Sequence, residues 1–315
     1  MAKRPTNSSK KVRPLKRRMP RERGDSPASG ISALFNRLRP DFLREIEDEV
    51  AAKLARIPTQ LNEFGYDPWG LDIRSIQSAL VMATVLYRYY FRVEVFGIEN
   101  LPPGRVLIIS NHAGQVAIDA AMIGVATVLE ADPPRIVRGM GEYWLPTLPF
   151  ISEAMVRTGS VVGTPKNCRD LLGQGEAVIA FPEGVRGMNK LFSERYRLQH
   201  FGYGFMRLAL ATDTPIVPVA VVGSEEQAPG IANLKPLARL LGMPAFPITP
   251  TFPLLGPLGL LPLPVKYRIY FGPPMNFRGN PDDEDTQVRK KVAKVKTQIQ
   301  RMLDQGVAKR DNIFY

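Results

Sequence analysis

The stretch RVLIISNHAGQVAIDAAMIGVATVL (105–129) decides how the rest of the chain is read. Its opening run, Arg105 to Ser110, is short, apolar and rich in β-formers, the pattern of a strand buried on both faces. A polar turn, Asn111-His112-Ala113-Gly114, follows, and Ala117 to Leu129 has the length and composition of a helix. A strand that passes into a helix through a polar turn is half of an α/β layer unit. In such sheets ligands gather outside the carboxyl ends of the strands, and His112 stands at that place.

Working outward, the same texture recurs. Ala177–Phe181, Ile216–Val222 and Lys266–Phe271 read as strands, and Lys166–Gly173, Phe201–Thr212 and Asp285–Leu303 as helices. The expected fold is α/β, a mostly parallel sheet flanked by helices. Upstream, Pro40 suits a first helical position. Phe42, Leu43, Ile46, Val50, Leu54 and Ile57 follow at helical spacing, and Pro58 closes the helix. A second helix is expected from Asp72, its cap, to about Tyr90. Its end, Tyr87-Arg88-Tyr89-Tyr90-Phe91-Arg92, suits either a membrane interface or packing on the domain. The organisation expected is a tail (1–30), a helical segment (31–92), a main domain (93–280) and a terminal helix (281–315). Pro236 to Pro264 is apolar but carries eight prolines, which excludes a regular helix or a central strand. It reads as a long loop, packed on its own domain or exposed toward a membrane.

Composition narrows the partners. Of 42 Lys and Arg, ten fall in the first 24 residues, opposed there by Glu22 alone. The remainder carries 32 basic against 29 acidic residues, so the net +12 is mostly a property of the tail. With its prolines and serines and no hydrophobic period, that tail is expected to be disordered, and it suits an anionic membrane surface. No nucleic-acid partner is expected. No apolar run approaches the roughly 20 residues of a membrane span. The expected place is therefore on a membrane, peripheral or monotopic, at its cytoplasmic face. One cysteine, Cys168, excludes an internal disulfide framework and argues against a zinc site of the Cys-rich kind. No metal is expected.

Two histidines exist, and they limit the search for a base that works near neutral pH. His112 follows a strand, whereas His200 lies in a mixed stretch, RYRLQHFGYG (195–204). The second constellation is FPEGVRG (181–187), also at the end of a strand. Gly184 and Gly187 permit a tight turn, and Glu183 and Arg186 are placed to meet a hydroxyl and an anionic group. No Gly-x-Ser-x-Gly elbow is present, and GYG (202–204) lacks the third glycine of a dinucleotide loop.

Taken together the blocks resemble the glycerolipid-acyltransferase superfamily, which includes the lysophosphatidic acid acyltransferases. That family carries an Asn-His…Asp block and, about 70 residues on, Phe-Pro-Glu-Gly-x-Arg. Here His112 and Glu183 are 71 apart, and IVPVAVV (216–222) matches a further, proline-containing block. The likeness spans roughly residues 93–275. It implies an O-acyltransferase of lipid metabolism that needs no cofactor beyond its co-substrate, acyl-CoA or acyl-carrier protein. His112 would deprotonate the acceptor hydroxyl, with an acidic partner orienting it. Glu183, Gly184 and Arg186 would hold the acceptor, and backbone N–H groups near Gly114 would meet the oxyanion. Lysophospholipid is the acceptor implied. Transfer to a neutral glyceride, lipid hydrolysis and a non-catalytic membrane role are the alternatives.

Two departures stand out. The family's acid lies five residues after the histidine, but position 117 is Ala117, and Asp119 lies seven on. A continuous helix would put seven residues about 10 Å apart, so Asp119 serves only if Gly114 lets the chain bulge. The family's middle block ends in a phosphate-binding arginine. Here RTGSVVGTPKN (157–167) has Gly163 or Thr164 near that place, flanked by Arg157 and Lys166 as substitutes.

Overall fold

The computed structural model describes residues 40–114, 117–240 and 246–314. The basic tail expected over 1–30 lies outside the described residues. Among the described residues nine strands occur in chain order: β1 (Glu94–Phe96), β2 (Val106–Ser110), β3 (Val137–Gly141), β4 (Val161–Val162), β5 (Ala177–Ala180), β6 (Ile216–Val222), β7 (Ala232–Asn233), β8 (Pro247–Ile248) and β9 (Arg268–Phe271). Seven build one sheet in the order β1-β9-β6-β2-β5-β3-β4, while β7 and β8 form a separate pair. Within the large sheet every pairing is parallel except that of β6 with β9. The mostly parallel α/β sheet flanked by helices is therefore present.

The helices are α1 (Asp41–Ala55), α2 (Ile73–Val85), α3 (Ile118–Leu129), α4 (Ile151–Arg157), α5 (Pro165–Gly173), α6 (Val185–Met188), α7 (Gly204–Thr212), α8 (Lys235–Leu240) and α9 (Asp285–Lys309). Side chains alternate across the strands, which explains the unbroken apolar runs: both faces are covered. Ile108, Ile179, Val217, Val219 and Val221 pack with α1, α2 and α3, through Ile46, Val50, Leu80 and Met122 among others. Leu107, Ile109, Val178 and Ala220 pack with α5, α7 and α9, through Leu171, Met206 and Val295. Each fully buried aliphatic side chain contributes about 1.5–3 kcal/mol.

Local signals set the boundaries. Asp72 caps α2, its carboxylate accepting from the Arg74 N–H at 3.1 Å and the Ser75 hydroxyl at 2.6 Å. The expected second helix continues to Tyr90, but its last turn, Leu86–Tyr90, is π-helical. Pro218 sits inside the central strand β6, where a missing N–H is normally costly. Its carbonyl accepts from the Gly272 N–H at 2.8 Å, so its nitrogen faces the same edge, just where the β9 ladder stops at Phe271.

The reading of 236–264 needs correction at its start. Lys235–Leu240 is helical, with Pro236 in the first turn, where no intrahelical donor is required. Beyond it the segment is irregular, and Leu254, Leu255, Leu258 and Leu261 are exposed. Residues 241–245 lie outside the described residues. Among the described residues no helix is long and apolar enough to cross a membrane.

Candidate active site

β2, β5, β3 and β4 are parallel, so the turns after them share one end of the sheet. At the end of β2, Asn111 continues the strand with its side chain. Its amide nitrogen donates to the Val221 carbonyl at 3.0 Å and its oxygen accepts from the Val221 N–H at 2.8 Å. The next residue, His112, is thereby fixed at the mouth of the sheet. Its ring lies against Phe181, with centroids 4.2 Å apart.

His112 Nδ1 meets Asp119 Oδ2 at 2.8 Å. A carboxylate oxygen accepts, so Nδ1 carries the hydrogen and Nε2 the lone pair. The bulge that the spacing required is present. Gly114 adopts φ +81°, α3 starts only at Ile118, and Asp119 in its first turn points back at the histidine. Asp119 Oδ2 also accepts from the Ala113 N–H at 3.0 Å, and Oδ1 from the Ala120 N–H at 2.8 Å. The carboxylate is fully buried and lies at the positive end of α3, which favours its charge. Gln115 and Val116 lie outside the described residues.

Behind β5 the chain turns sharply. Gly184 has φ +55° and ψ −146°, a region open to glycine, and a Cβ there would lie 3.2 Å from Glu142 Oε1. Gly187 is needed for space: a Cβ would fall 2.7 Å from the His112 carbonyl oxygen and 2.9 Å from Glu183 Cβ. Glu183 was expected to face a substrate hydroxyl, and here the structure corrects the reading. Its side chain is fully buried. Oε1 accepts from the His112 N–H at 3.2 Å, and Oε2 from the Gln199 N–H at 2.6 Å. Glu183 ties the two turns together and presents no face to a ligand.

Arg186, by contrast, is exposed on the same turn, with Nη1 3.5 Å from His200 Nδ1. The two proposed substitutes for the middle-block arginine are not brought to it. Arg157 ends α4, pairs with Glu153 one turn back, and hands its carbonyl to the Asp72 N–H, on the side of the sheet where the strands begin. Lys166 is at the correct end but pairs with Asp170 beside β4. That is three strand spacings from β2, about 14 Å.

The sequence reading missed Lys190 and Glu225, which are buried behind the turn, Nζ to Oε1 2.8 Å. The signal was available: Gly223-Ser224-Glu225-Glu226-Gln227 is a polar cluster at the end of an apolar strand, the same pattern that singled out His112. Cys168 is buried with Sγ 3.0 Å from Met140 Sδ, and burial pushes its thiol up to about 11, so a thiolate nucleophile is disfavoured there. Among the described residues no group of three or more His, Cys, Asp or Glu could hold a metal ion.

The acyltransferase family model matches residues 92–222, which run from before β1 through β6. An uncharacterized protein of Mycobacterium tuberculosis is 38% identical over 298 residues, covering 91% of this chain and 82% of that protein. A chloroplastic 1-acyl-sn-glycerol-3-phosphate acyltransferase of Arabidopsis thaliana is 26% identical, covering 53% of this chain and 47% of its own. The DGAT1/2-independent enzyme synthesizing storage lipids of Gallus gallus is 24% identical, covering 65% and 59%. The chain belongs to the acyltransferase family.

Proposed function

We propose that this enzyme moves a fatty acyl group from a thioester, acyl-CoA or acyl-carrier protein, to the free hydroxyl of a lysophospholipid. The observation that carries the reading is the buried His112–Asp119 pair at the end of β2, 2.8 Å apart, with Nε2 left to accept a proton. In the reaction the acceptor hydroxyl gives its proton to Nε2 as its oxygen attacks the thioester carbonyl. Asp119 stabilises the imidazolium that forms. Collapse of the tetrahedral oxyanion breaks the C–S bond, and the departing thiolate takes the proton back from His112. The named activity of the Arabidopsis thaliana relative supports the acceptor class.

Arg186 is the residue proposed to hold the acceptor phosphate, and Gly184 lets the turn present it. A charge-assisted hydrogen bond is worth about 1.5–3 kcal/mol. Arg186→Ala is therefore expected to raise KM for a phosphorylated acceptor about 10- to 100-fold, with kcat little changed. The test is transfer of a labelled acyl group to lysophosphatidate, other lysophospholipids, monoacylglycerol and diacylglycerol in mixed micelles. Labelling of lysophosphatidate that weakens in Arg186→Ala is the expected result. Labelling of diacylglycerol alone, indifferent to Arg186, would replace this reading with transfer to a neutral acceptor. That second reading is favoured by one observation, the displacement of Arg157 and Lys166 from His112, and by the storage-lipid relative of Gallus gallus.

The enzyme is further proposed to lie on the cytoplasmic face of a membrane. Two apolar loops leave the His112 end of the sheet and support this. One follows β3, with Tyr143, Trp144 and Phe150 exposed, Phe150 at 85%. The other precedes β9, with Leu254 84% exposed and no charged residue between Phe246 and Pro264. Aromatic and aliphatic tips of this kind suit the interfacial layer of a bilayer.

A further inference from the structure

We propose that Lys190, locked between the buried carboxylates of Glu183 and Glu225, is a positioning residue that holds the turn after β5 against the backbone of His112. The inference rests on the role proposed above for His112. Glu183 joins three segments with one carboxylate: the His112 N–H after β2, its own turn after β5, and the Gln199 N–H before α7. Two amides satisfy its oxygens in part, but a charge out of reach of water also needs a counter-charge.

Lys190 Nζ is that counter-charge, 3.6 Å from Glu183 Oε2 and 2.8 Å from Glu225 Oε1, with the Arg197 carbonyl at 3.5 Å. All three ionic side chains are 4% exposed or less. Glu225 comes from the loop after β6, so one ammonium links the ends of β5 and β6 and, through Glu183, the end of β2. Gly187, three residues before Lys190, passes so close to the His112 carbonyl that an added Cβ would fall 2.7 Å from its oxygen, while Glu183 holds the His112 N–H, so this single turn closes on His112 at both its carbonyl and its amide.

Other charges nearby look elsewhere. Asp119 reaches the turn only through His112, Glu226 pairs with Arg310 and Tyr196, and Arg186 faces His200. Removal of Lys190 leaves buried Glu183 without its counter-charge beside a second buried carboxyl, and frees the turn. Burial pushes the Glu225 carboxyl up to about 7, with Lys190 pulling the other way. A raised carboxyl contributes stability below its unfolded value of 4.5 and loses it as pH rises through 7.

The experiment uses the full chain with Lys190→Met, Lys190→Arg, Glu225→Gln and the double variant Lys190→Met/Glu225→Gln. Each is assayed for acyl transfer over a range of acceptor, with a thermal melt at pH 5 and pH 8. Misplacement of a reacting group by about 1 Å costs on the order of 10²-fold, so Lys190→Met is expected to lose about that in kcat with acceptor KM little changed. Lys190→Arg is expected to recover most of it. Glu225→Gln is expected to lose less kcat than Lys190→Met, because Lys190 keeps Glu183, and to show a melting temperature less dependent on pH than wild type between pH 5 and pH 8. The double variant keeps the charge of the cluster and so guards against simple unfolding; its kcat is expected to stay well below wild type. Wild-type kcat in folded Lys190→Met or in the double variant would overturn the inference. So would a raised KM at unchanged kcat, which would put Lys190 on the substrate. His112→Ala run beside them separates the two ideas. If it is inactive while the Lys190 variants are not, only the positioning role fails; if it is active, the base itself was misassigned.

Discussion

Asp119→Asn is expected to lower kcat/KM by about 10³- to 10⁴-fold while the protein stays folded, on the precedent that a mis-set tautomer disables a histidine base. Hydrogen-bond polarity decides the outcome. Asp119 offers acceptors only, to His112 Nδ1, the Ala113 N–H and the Ala120 N–H. An asparagine has one acceptor oxygen and an NH2. With its oxygen in the place of Oδ2 it would still meet both His112 Nδ1 and the Ala113 N–H, but its NH2 would then face the Ala120 N–H, donor against donor. With the amide turned the other way its NH2 faces His112, Nδ1 must accept, and the imidazole proton moves to Nε2. Nε2 then has no lone pair for the acceptor hydroxyl. The check is kcat/KM beside a circular dichroism spectrum. A folded Asp119→Asn enzyme within tenfold of wild type would mean that the 2.8 Å contact does not orient the base.

Gly187→Ala is expected to damage both fold and rate. The added methyl would stand 2.7 Å from the His112 carbonyl oxygen and 2.9 Å from Glu183 Cβ. Neither contact is the far end of a flexible side chain, so the relief must come from the turn or from the strand end that carries His112. Overpacking of this kind costs about 1–3 kcal/mol. A shift of about 1 Å at the base costs on the order of 10²-fold in kcat. A melting curve and steady-state kinetics measure the two effects. Gly173→Ala is a fitting control, because nothing lies within 4 Å of the Cβ it would add. A Gly187→Ala enzyme indistinguishable from that control would show that the two turns are not packed as described.

How far the sequence reached depended on what kind of signal each element carries. β2, β5 and β6 are buried on both faces, so their unbroken apolar runs announce them. β3 is equally internal, lying between β5 and β4, but its sequence Val137-Arg-Gly-Met-Gly has two glycines and a charge and carries no strand pattern. Tertiary packing, not local preference, makes it a strand. β1 and β4, at three and two residues, are too short for any periodicity.

The site divides along the same line. His112 was legible because a polar residue after a buried strand is conspicuous. Asp119 was legible only with the bulge at Gly114, since helical spacing alone would have kept it away. Glu183 was found as a residue but misread in direction, because its partners are backbone amides 71 and 16 residues away, and no side-chain pattern records those. Arg157 and Lys166 were chosen by proximity in sequence to the middle block. α4 carries the first toward the other end of the sheet, and β4 sets the second at its edge.

The central claim is that His112 is the base of an acyl transfer. Its most direct test is transfer of labelled acyl groups from acyl-CoA, and then from acyl-carrier protein, to the acceptor that wild type acylates, with His112→Ala alongside. Loss of a general base costs about 10²- to 10⁴-fold, so transfer that falls by that factor in a variant with an unchanged circular dichroism spectrum is the result predicted. Transfer by His112→Ala at a rate near that of wild type would contradict the account, whatever the acceptor proves to be.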